Sequence, residues 1–566
     1  MVYAAAEIDR WFETLEGAFE GKLPDDHSLI QTFGGQGWRV RTMGVGLLVL
    51  ADRDFPFSKP RAFIEGYDRK RPKPHIEPIA MLGELGRICL TTPITPDDPL
   101  ISVQAAVRDA RLLLRANENG EQEVDFKNDF GTYWHHYLPE GSGVANLWGL
   151  TRITKGIGSY VRTTDGMYYC FPDKVSLRRY SSHLWKAFVR DPHQFPIVEL
   201  RSVPNPDRFP SDTETLFSFL SRYTVDGLSA LADLLRARPR RLPVIFTGTG
   251  PNGRVFKIAV ELVVRQDAKG RPPVKTREQA RLDDKDVLYL YDTFRLDTRN
   301  LDAALTRLPD HDLATVQKKV VIVGCGALGS GIAMLLAKAG VTRFVLIDPE
   351  LLGWENIRRH ELGAEFVGEP KAIALKGRIE RTIPDVEIVQ AIASSYQQAI
   401  ESHPDLVEGA HLVIVATGDW GCDAFIDHAL SARDQALPAI YTWTEAFALA
   451  THAVFISGTD GKFVEGFDLS GNFKGKASKA SREIPPECGN TSTPFGAVET
   501  AQSQALAAKL ALEFLAGRHN GDNLWRTRTC ERSTFDDAQG TWTEYWLEHR
   551  GDPSELGQVF EAGWKF

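Results

Sequence analysis

A chain of 566 residues is longer than one hydrophobic core can serve, since cores stop growing near roughly 250–300 residues, so several domains are expected. A hydrophobic content of 43% and a charged content of 25% match folded globular proteins and exclude disorder over any large part. The net charge of −9, without a continuous basic stripe, argues against a nucleic-acid backbone as the main ligand.

The first stretch, Met1 to Gly21, is acidic and amphipathic and lacks the basic start and apolar run of a secretory signal. No window approaches the roughly 18–20 apolar residues of a membrane span, so a cytoplasmic protein with no membrane partner is expected. Strand-like runs follow at Trp38–Arg41 and Gly46–Ala51, then a Pro-punctuated segment, then helical spacing from Pro99 to Ala116 opened by Asp98-Pro99. This predicts an α+β domain over residues 1–148. Residues 149–310 mix strands such as YVRTTDGMYYCF and VFKIAVELVV with Pro- and Gly-rich turns, and read as an α+β connecting domain that carries no recognisable chemistry. The basic tract Arg236–Arg241 reads as a solvated loop.

Residues 311–566 change character. VVIVGC is a β-branched run of the kind buried on both faces of a parallel sheet, followed by glycines, a helix and a second buried strand, FVLID. The fold class is therefore α/β, with a Rossmann-like C-terminal domain. Gly324-x-Gly326-x-x-Gly329 stands between strand and helix, where glycines allow a tight turn, close phosphate approach and close packing, and the helix N-terminus favours an anion. Asp348, at the end of the second strand, can hold ribose hydroxyls in nicotinamide, flavin or ATP enzymes alike. Asn356, Arg358, Arg359 and Lys371 then concentrate cationic and amide donors, as phosphate transfer requires and hydride transfer does not. HLVIVATGDW ends another buried strand at Asp419, well placed for Mg²⁺.

The run Gly324–Gly329, Asp348-Pro349, Asn356-Ile357-Arg358-Arg359-His360, Gly368-x-x-Lys371 and Ala416–Asp419 resembles the ThiF/MoeB and ubiquitin-activating superfamily. The resemblance implies an adenylating domain that uses ATP and Mg²⁺. It assigns ribose to Asp348, phosphates to Asn356, Arg359 and Lys371, and the metal to Asp419. His360 departs from the usual Gln, and the family's paired C-x-x-C zinc cysteines are missing.

Six cysteines stand far apart at positions 89, 170, 325, 422, 488 and 530, which predicts neither a disulfide framework nor a cysteine zinc site. An acyl adenylate needs an acceptor, and thiolates form thioesters. Cys488, between a Lys- and Gly-rich stretch expected to be mobile and the helix VETAQSQALAAKLALEFL, is the first choice; Cys530 is its rival, and Cys170, Cys325 and Cys422 read as packing residues. Cys89 is the second site. DFPFSKPRAFIEG, Pro74-His75 and GELGRICLTTP resemble the ubiquitin-conjugating fold, with Cys89 in the I-C-L position and His75-Ile76-Glu77 in place of the H-P-N segment. His75 is there either a substitute oxyanion donor or a structural histidine.

Conjugating domain first and adenylating domain last resembles the bacterial ubiquitin-transferase-like proteins of anti-phage signalling operons. That implies activation of the C-terminus of a small protein or cyclic-nucleotide synthase, relay from Cys488 to Cys89, transfer to a target amine, and a homodimer. A sulfur-carrier adenylating enzyme, a nicotinamide oxidoreductase and an inert scaffold are the rival readings.

Overall fold

The computed structural model describes residues 19–566 apart from 41, 43, 92, 151–152, 179–191, 267–282, 301–316, 384–385, 482–494 and 551–555. They fall into two units, 1–302 and 303–566.

The first unit opens with six strands, β1 (Phe19–Lys22), β2 (Gln36–Val40), β3 (Leu47–Ala51), β4 (Arg61–Ile64), β5 (Ile76–Pro78) and β6 (Gly86–Ile88), ordered β1-β2-β3-β4-β6-β5 with antiparallel neighbours. The end of the N-terminal stretch expected to be amphipathic thus lies in β1. In β3 all five residues are buried because both faces are covered. Leu47 and Val49 pack with Val103, Val107, Ala110 and Leu114 of the helix Pro99–Glu118, whereas Leu48 and Leu50 pack with Leu23, Leu29, Leu82 and Leu85. The strand's period of two sorts its side chains between these two cores. Pro99 opens the helix, where its missing N–H costs nothing.

The remainder of the unit is a closed barrel rather than a loose alternation of strands and helices. Its strands are β7 (Val144–Leu147), β8 (Gly156–Arg162), β9 (Tyr168–Phe171), β10 (His193–Glu199), β11 (Arg241–Thr249), β12 (Val255–Val264) and β13 (Tyr291–Asn300), ordered β10-β11-β12-β13-β7-β9-β8. Strand β7 pairs with both β13 and β9, so the barrel takes in residues ahead of position 149. The short helix Phe130–His136 buries Phe130, Tyr133 and Trp134 in the same core, with Trp134 Nε1 donating to the Leu296 carbonyl at 2.9 Å. In the basic tract, Arg236 is paired with Asp233 and Asp284, and Arg241 with Glu261.

The second unit holds an eight-stranded sheet. Strands β14 (Lys319–Val323), β15 (Arg343–Ile347), β16 (Glu387–Ile392), β17 (Leu412–Val415) and β18 (Ala439–Thr444) are parallel, in the order β16-β15-β14-β17-β18. Strands β19 (Ala450–Ile456), β21 (Leu524–Thr529) and β23 (Val559–Gly563) extend it antiparallel, and β20 (Ser478–Ala480) pairs apart with β22 (Gly540–Trp542). Val320 and Ile322 face one core and Val321 and Val323 the other, the two-sided burial that a β-branched run encodes. From β14 the chain winds outward to β15 and β16, then returns to the far side of β14 as β17. That reversal creates a crevice at the carboxyl ends of β14 and β17, the place where open α/β sheets bind ligands.

The stretch expected to be mobile ahead of Cys488 is anchored in part by packed aromatic residues, although many of its other described residues are exposed. Phe463, Phe467 and Phe473 stack among Trp443, Trp525 and Trp564. Glu445 and His452 are buried beneath it; the Glu445 carboxylate accepts from the Ala477 and Ser478 amides and the Ser478 hydroxyl, and lies 3.0 Å from His452 Nε2.

Candidate functional site

At the crevice lies a cavity of about 610 Å³, within the range of ligand sites, and its lining includes Gly324, Gly326, Asp348, Glu350, Tyr396, Thr417 and Asp419. The loop after β14 requires glycine for two separate reasons. Gly324 has a φ of +86°, and a Cβ there would lie 2.5 Å from the Ala416 carbonyl oxygen. A Cβ on Gly329 would lie 1.8 Å from the Gly324 oxygen, so glycine lets the helix Ala327–Lys338 sit directly against the loop. Gly326 differs: a Cβ there meets nothing within 4 Å, and the residue lines the cavity, so its bareness keeps space free for a ligand. Asp348 follows β15, and its carboxylate accepts from the Cys325 amide at 2.6 Å and the Glu350 amide at 2.8 Å. Burial nonetheless pushes its carboxyl up from the ordinary value. Asp419 caps the helix Trp420–Ser431 by accepting from the Cys422 amide at 2.7 Å.

Lys371, Asn356 and Arg359, also expected at the site, are not among the residues that line this cavity. Lys371, at the start of the helix Lys371–Thr382, is buried and ion-paired to Glu350, and its charge acts on Asp348. Asn356 and Arg359 stand in the loop after β15. The Asn356 side-chain oxygen accepts from the Gly353 amide at 2.9 Å, and the Arg359 guanidinium lies 4.5 Å over the ring of Phe495. Phe495 lines a second cavity of about 390 Å³ that shares Gly326, Ala416 and Thr417 with the first and is walled by Trp420, Trp443, Phe463 and Phe467. Asp423 also lines it, hydrogen-bonded by Thr417; burial pushes its carboxyl up to about 7. His360 holds the glycine loop from behind, its Nε2 2.6 Å from the Cys325 carbonyl oxygen.

The thiols separate by environment. Cys89 is exposed directly after β6, where its amide donates to the His75 carbonyl at 2.8 Å. Local desolvation, then the Glu77 carboxylate, push its thiol up against the opposing effect of Arg87. Cys488 lies outside the described residues. Cys530 follows β21 and is buried with Leu449 and Phe535, and burial pushes its thiol up to about 12; the expectation of Cys530 as a rival acceptor is corrected on that ground. Cys170 and Cys325 are buried and Cys422 half-buried. His75 sits in the left-handed region at φ 58°, its amide donating to the Tyr133 hydroxyl at 2.9 Å and its ring 3.0 Å from Asp125.

The ThiF family model matches residues 300–519 and the model of prokaryotic E2 family B matches residues 10–141. The chain joins a prokaryotic E2 family B domain to a ThiF family domain. Among curated relatives, it is 35% identical over 104 residues to the ATP-dependent ubiquitin transferase-like protein Cap2 of Enterobacter hormaechei, covering 18% of this chain and 17% of that protein. It is 25% identical over 230 residues to Cap2 of Pseudomonas aeruginosa, covering 38% and 39%. The sulfur carrier protein ThiS adenylyltransferase of Bacillus subtilis is 26% identical over 128 residues, covering 22% and 37%. The matched part thus spans well under two thirds of each relative's own length. Among solved structures, E. coli MccB with ATP superposes with a TM-score of 0.31 at 16% identity, covering 45% of this chain and 65% of that one.

The ThiF domain's crevice therefore brings Gly324, Gly326, Asp348 and Asp419 to one cavity, with Lys371 beside it and Gly329 beneath its loop. The bare Gly326 floor and the adjacent cation fit a nucleotide, and Asp419 fits a hard divalent ion. Sequence reasoning overlooked Glu350, the partner of Lys371, although it lies two residues after Asp348. It also overlooked Asp423, one helical turn beyond Asp419 and hydrogen-bonded by Thr417, and His136, whose partner Glu77 lies on an element distant in sequence. Among the described residues no helix is long and apolar enough to cross a membrane.

Proposed function

We infer that this chain activates a protein C-terminus with ATP and conjugates it through two cysteines. The observation that carries the reading is one chain holding both a glycine-floored cavity in a ThiF domain and an exposed thiol, Cys89, in an E2 family B domain. ATP binds with its ribose at Asp348 and its phosphates near Gly324, Gly326, Asn356, Arg359 and Lys371. When bound at Asp419, Mg²⁺ neutralises charge that develops on the phosphates. Lys371 must leave Glu350 or share it, so that pair also screens the lysine until an anion arrives. The substrate carboxylate attacks the α-phosphorus, displaces pyrophosphate and becomes an acyl adenylate. The Cys488 thiolate takes the acyl group and releases AMP; Cys89 receives it by thioester exchange, and a target amine takes it last. Both cysteines on one chain raise their mutual effective concentration where the intervening chain can span the gap. On the resemblance of the domain order to bacterial ubiquitin-transferase-like proteins of anti-phage operons, a cyclic-nucleotide synthase is taken as the activated protein and a homodimer as the working form.

The test is a non-reducing gel of the full chain with ATP, Mg²⁺ and the neighbouring gene's product. Wild type should show a thioester that reductant removes, Cys89→Ala a band held on Cys488, and Cys488→Ala neither. ATP–pyrophosphate exchange with no thioester on Cys89 would replace conjugation by simple adenylation, the activity for which the ThiS adenylyltransferase is named.

A further inference from the structure

The company of Cys89 is decided by the register of the β5–β6 hairpin. Ile76 pairs with Ile88 and Glu77 with Arg87. Side chains alternate along a strand, so Ile76 and Ile88 enter the core while Glu77, Arg87 and Cys89 share the outer face. The helix Phe130–His136 packs against β5. From it, His136 Nε2 stands 3.6 Å from Glu77 Oε1, and Arg87 holds the other carboxylate oxygen, Oε2. The His136 ring is mostly covered, with 18% of it exposed, so it keeps a route to solvent and to an incoming group.

We propose that His136 is the base for the last transfer at Cys89, with Glu77 positioning it and stabilising its charged form. The inference rests on the reading that Cys89 carries an acyl thioester. The lysine amine of the target attacks the thioester carbonyl carbon; a C–N bond forms as the C–S bond breaks. The proton lost by nitrogen passes to the His136 ring and from there to the departing Cys89 sulfur, which ends as a thiol. No electrons change hands and no further reactant is needed.

Three observations favour His136 over its neighbours. His75 is committed, its amide to Tyr133 and its ring to Asp125. Burial, with His135 and Arg87 adding to it and Glu77 opposing, lowers the affinity of His136 for a proton, so the ring is neutral near pH 7, as a base must be. The raised thiol of Cys89 makes a poor leaving thiolate, so a group that returns the proton to sulfur assists the exit. The charged and titratable groups facing His136 are Glu77 from β5, Arg87 from β6, and His135 and Tyr133 from its own helix.

The experiment loads Cys89 with ATP and the activated protein, quenches ATP, and follows thioester decay on adding free lysine or hydroxylamine between pH 5.5 and 8.5. Hydroxylamine is largely unprotonated at neutral pH and needs little base assistance. Once rates are corrected for the fraction of lysine present as free amine, His136→Gln should slow discharge to lysine about 100-fold and abolish the remaining fall on acidification, while discharge to hydroxylamine stays within about threefold. Glu77→Gln should shift the acid limb to lower pH, since the carboxylate that holds the proton on His136 is gone. Equal losses with both nucleophiles, or wild-type discharge to lysine by His136→Gln, would overturn the base. A wild-type chain that never loads Cys89 would instead overturn the relay, and this inference with it.

Discussion

His360 serves the glycine loop through a neutral ring. Nδ1 accepts from the Leu362 amide at 3.0 Å, so Nε2 carries the proton and donates to the Cys325 carbonyl. Burial lowers its pKa from 6.5 to about 4, with Lys371 adding to the effect and the Cys325 bond opposing it. A depressed histidine pKa leaves folding stability whole above pH 6.5; below that the unfolded chain takes up a proton that the folded ring refuses. Stability therefore falls between pH 6.5 and about 4, by roughly 3 kcal/mol in all. Thermal melts at pH 7.5 and 4.5 should show a smaller acid-induced drop for His360→Gln than for wild type; equal drops would refute this. The substitution from the family's usual glutamine is visible in sequence, but its consequence is not, because the desolvation comes from residues that folding brings around the ring.

At the scale of elements, the strand–loop–helix unit from Lys319 to Lys338 uses its glycines for different ends. Gly329→Ala drives a Cβ into the Gly324 carbonyl, so helix and loop must separate, at a cost of about 1–3 kcal/mol. Gly326→Ala meets open space and should leave the melting temperature unchanged, yet it narrows the cavity and should weaken ATP binding about tenfold, or 1.4 kcal/mol. Melting curves and calorimetric titration separate the two; a Gly326→Ala chain that melts as early as Gly329→Ala would contradict the division. The β-branched run and glycine spacing made this unit legible, since both are local signals. The anchoring of the segment from Phe463 to Ala480 by its aromatic residues was missed for the opposite reason. Its glycines and lysines dominate the local composition, while Phe463, Phe467 and Phe473 find their partners on β18, β21 and the C-terminal end of the chain.

For the whole molecule, the two units and a nucleotide cavity in the second predict how ligand binding registers on stability. ATP at 100 times its dissociation constant should stabilise the unit that binds it by about 2.7 kcal/mol. Calorimetry of the full chain should show two transitions, of which the one belonging to residues 303–566 moves upward with ATP; a shift of both, or of neither, would count against the cavity as the nucleotide site. By itself the sequence determined the parallel strands, the glycine loop and the order of conjugating and adenylating segments, because buried runs and glycine spacings act over a few residues. Tertiary structure alone decided that seven strands close into a barrel, that Cys530 is buried, and that His136 faces Glu77 on the hairpin that leads to Cys89. Those facts depend on pairing and desolvation between residues tens to more than a hundred positions apart, and no local pattern encodes them.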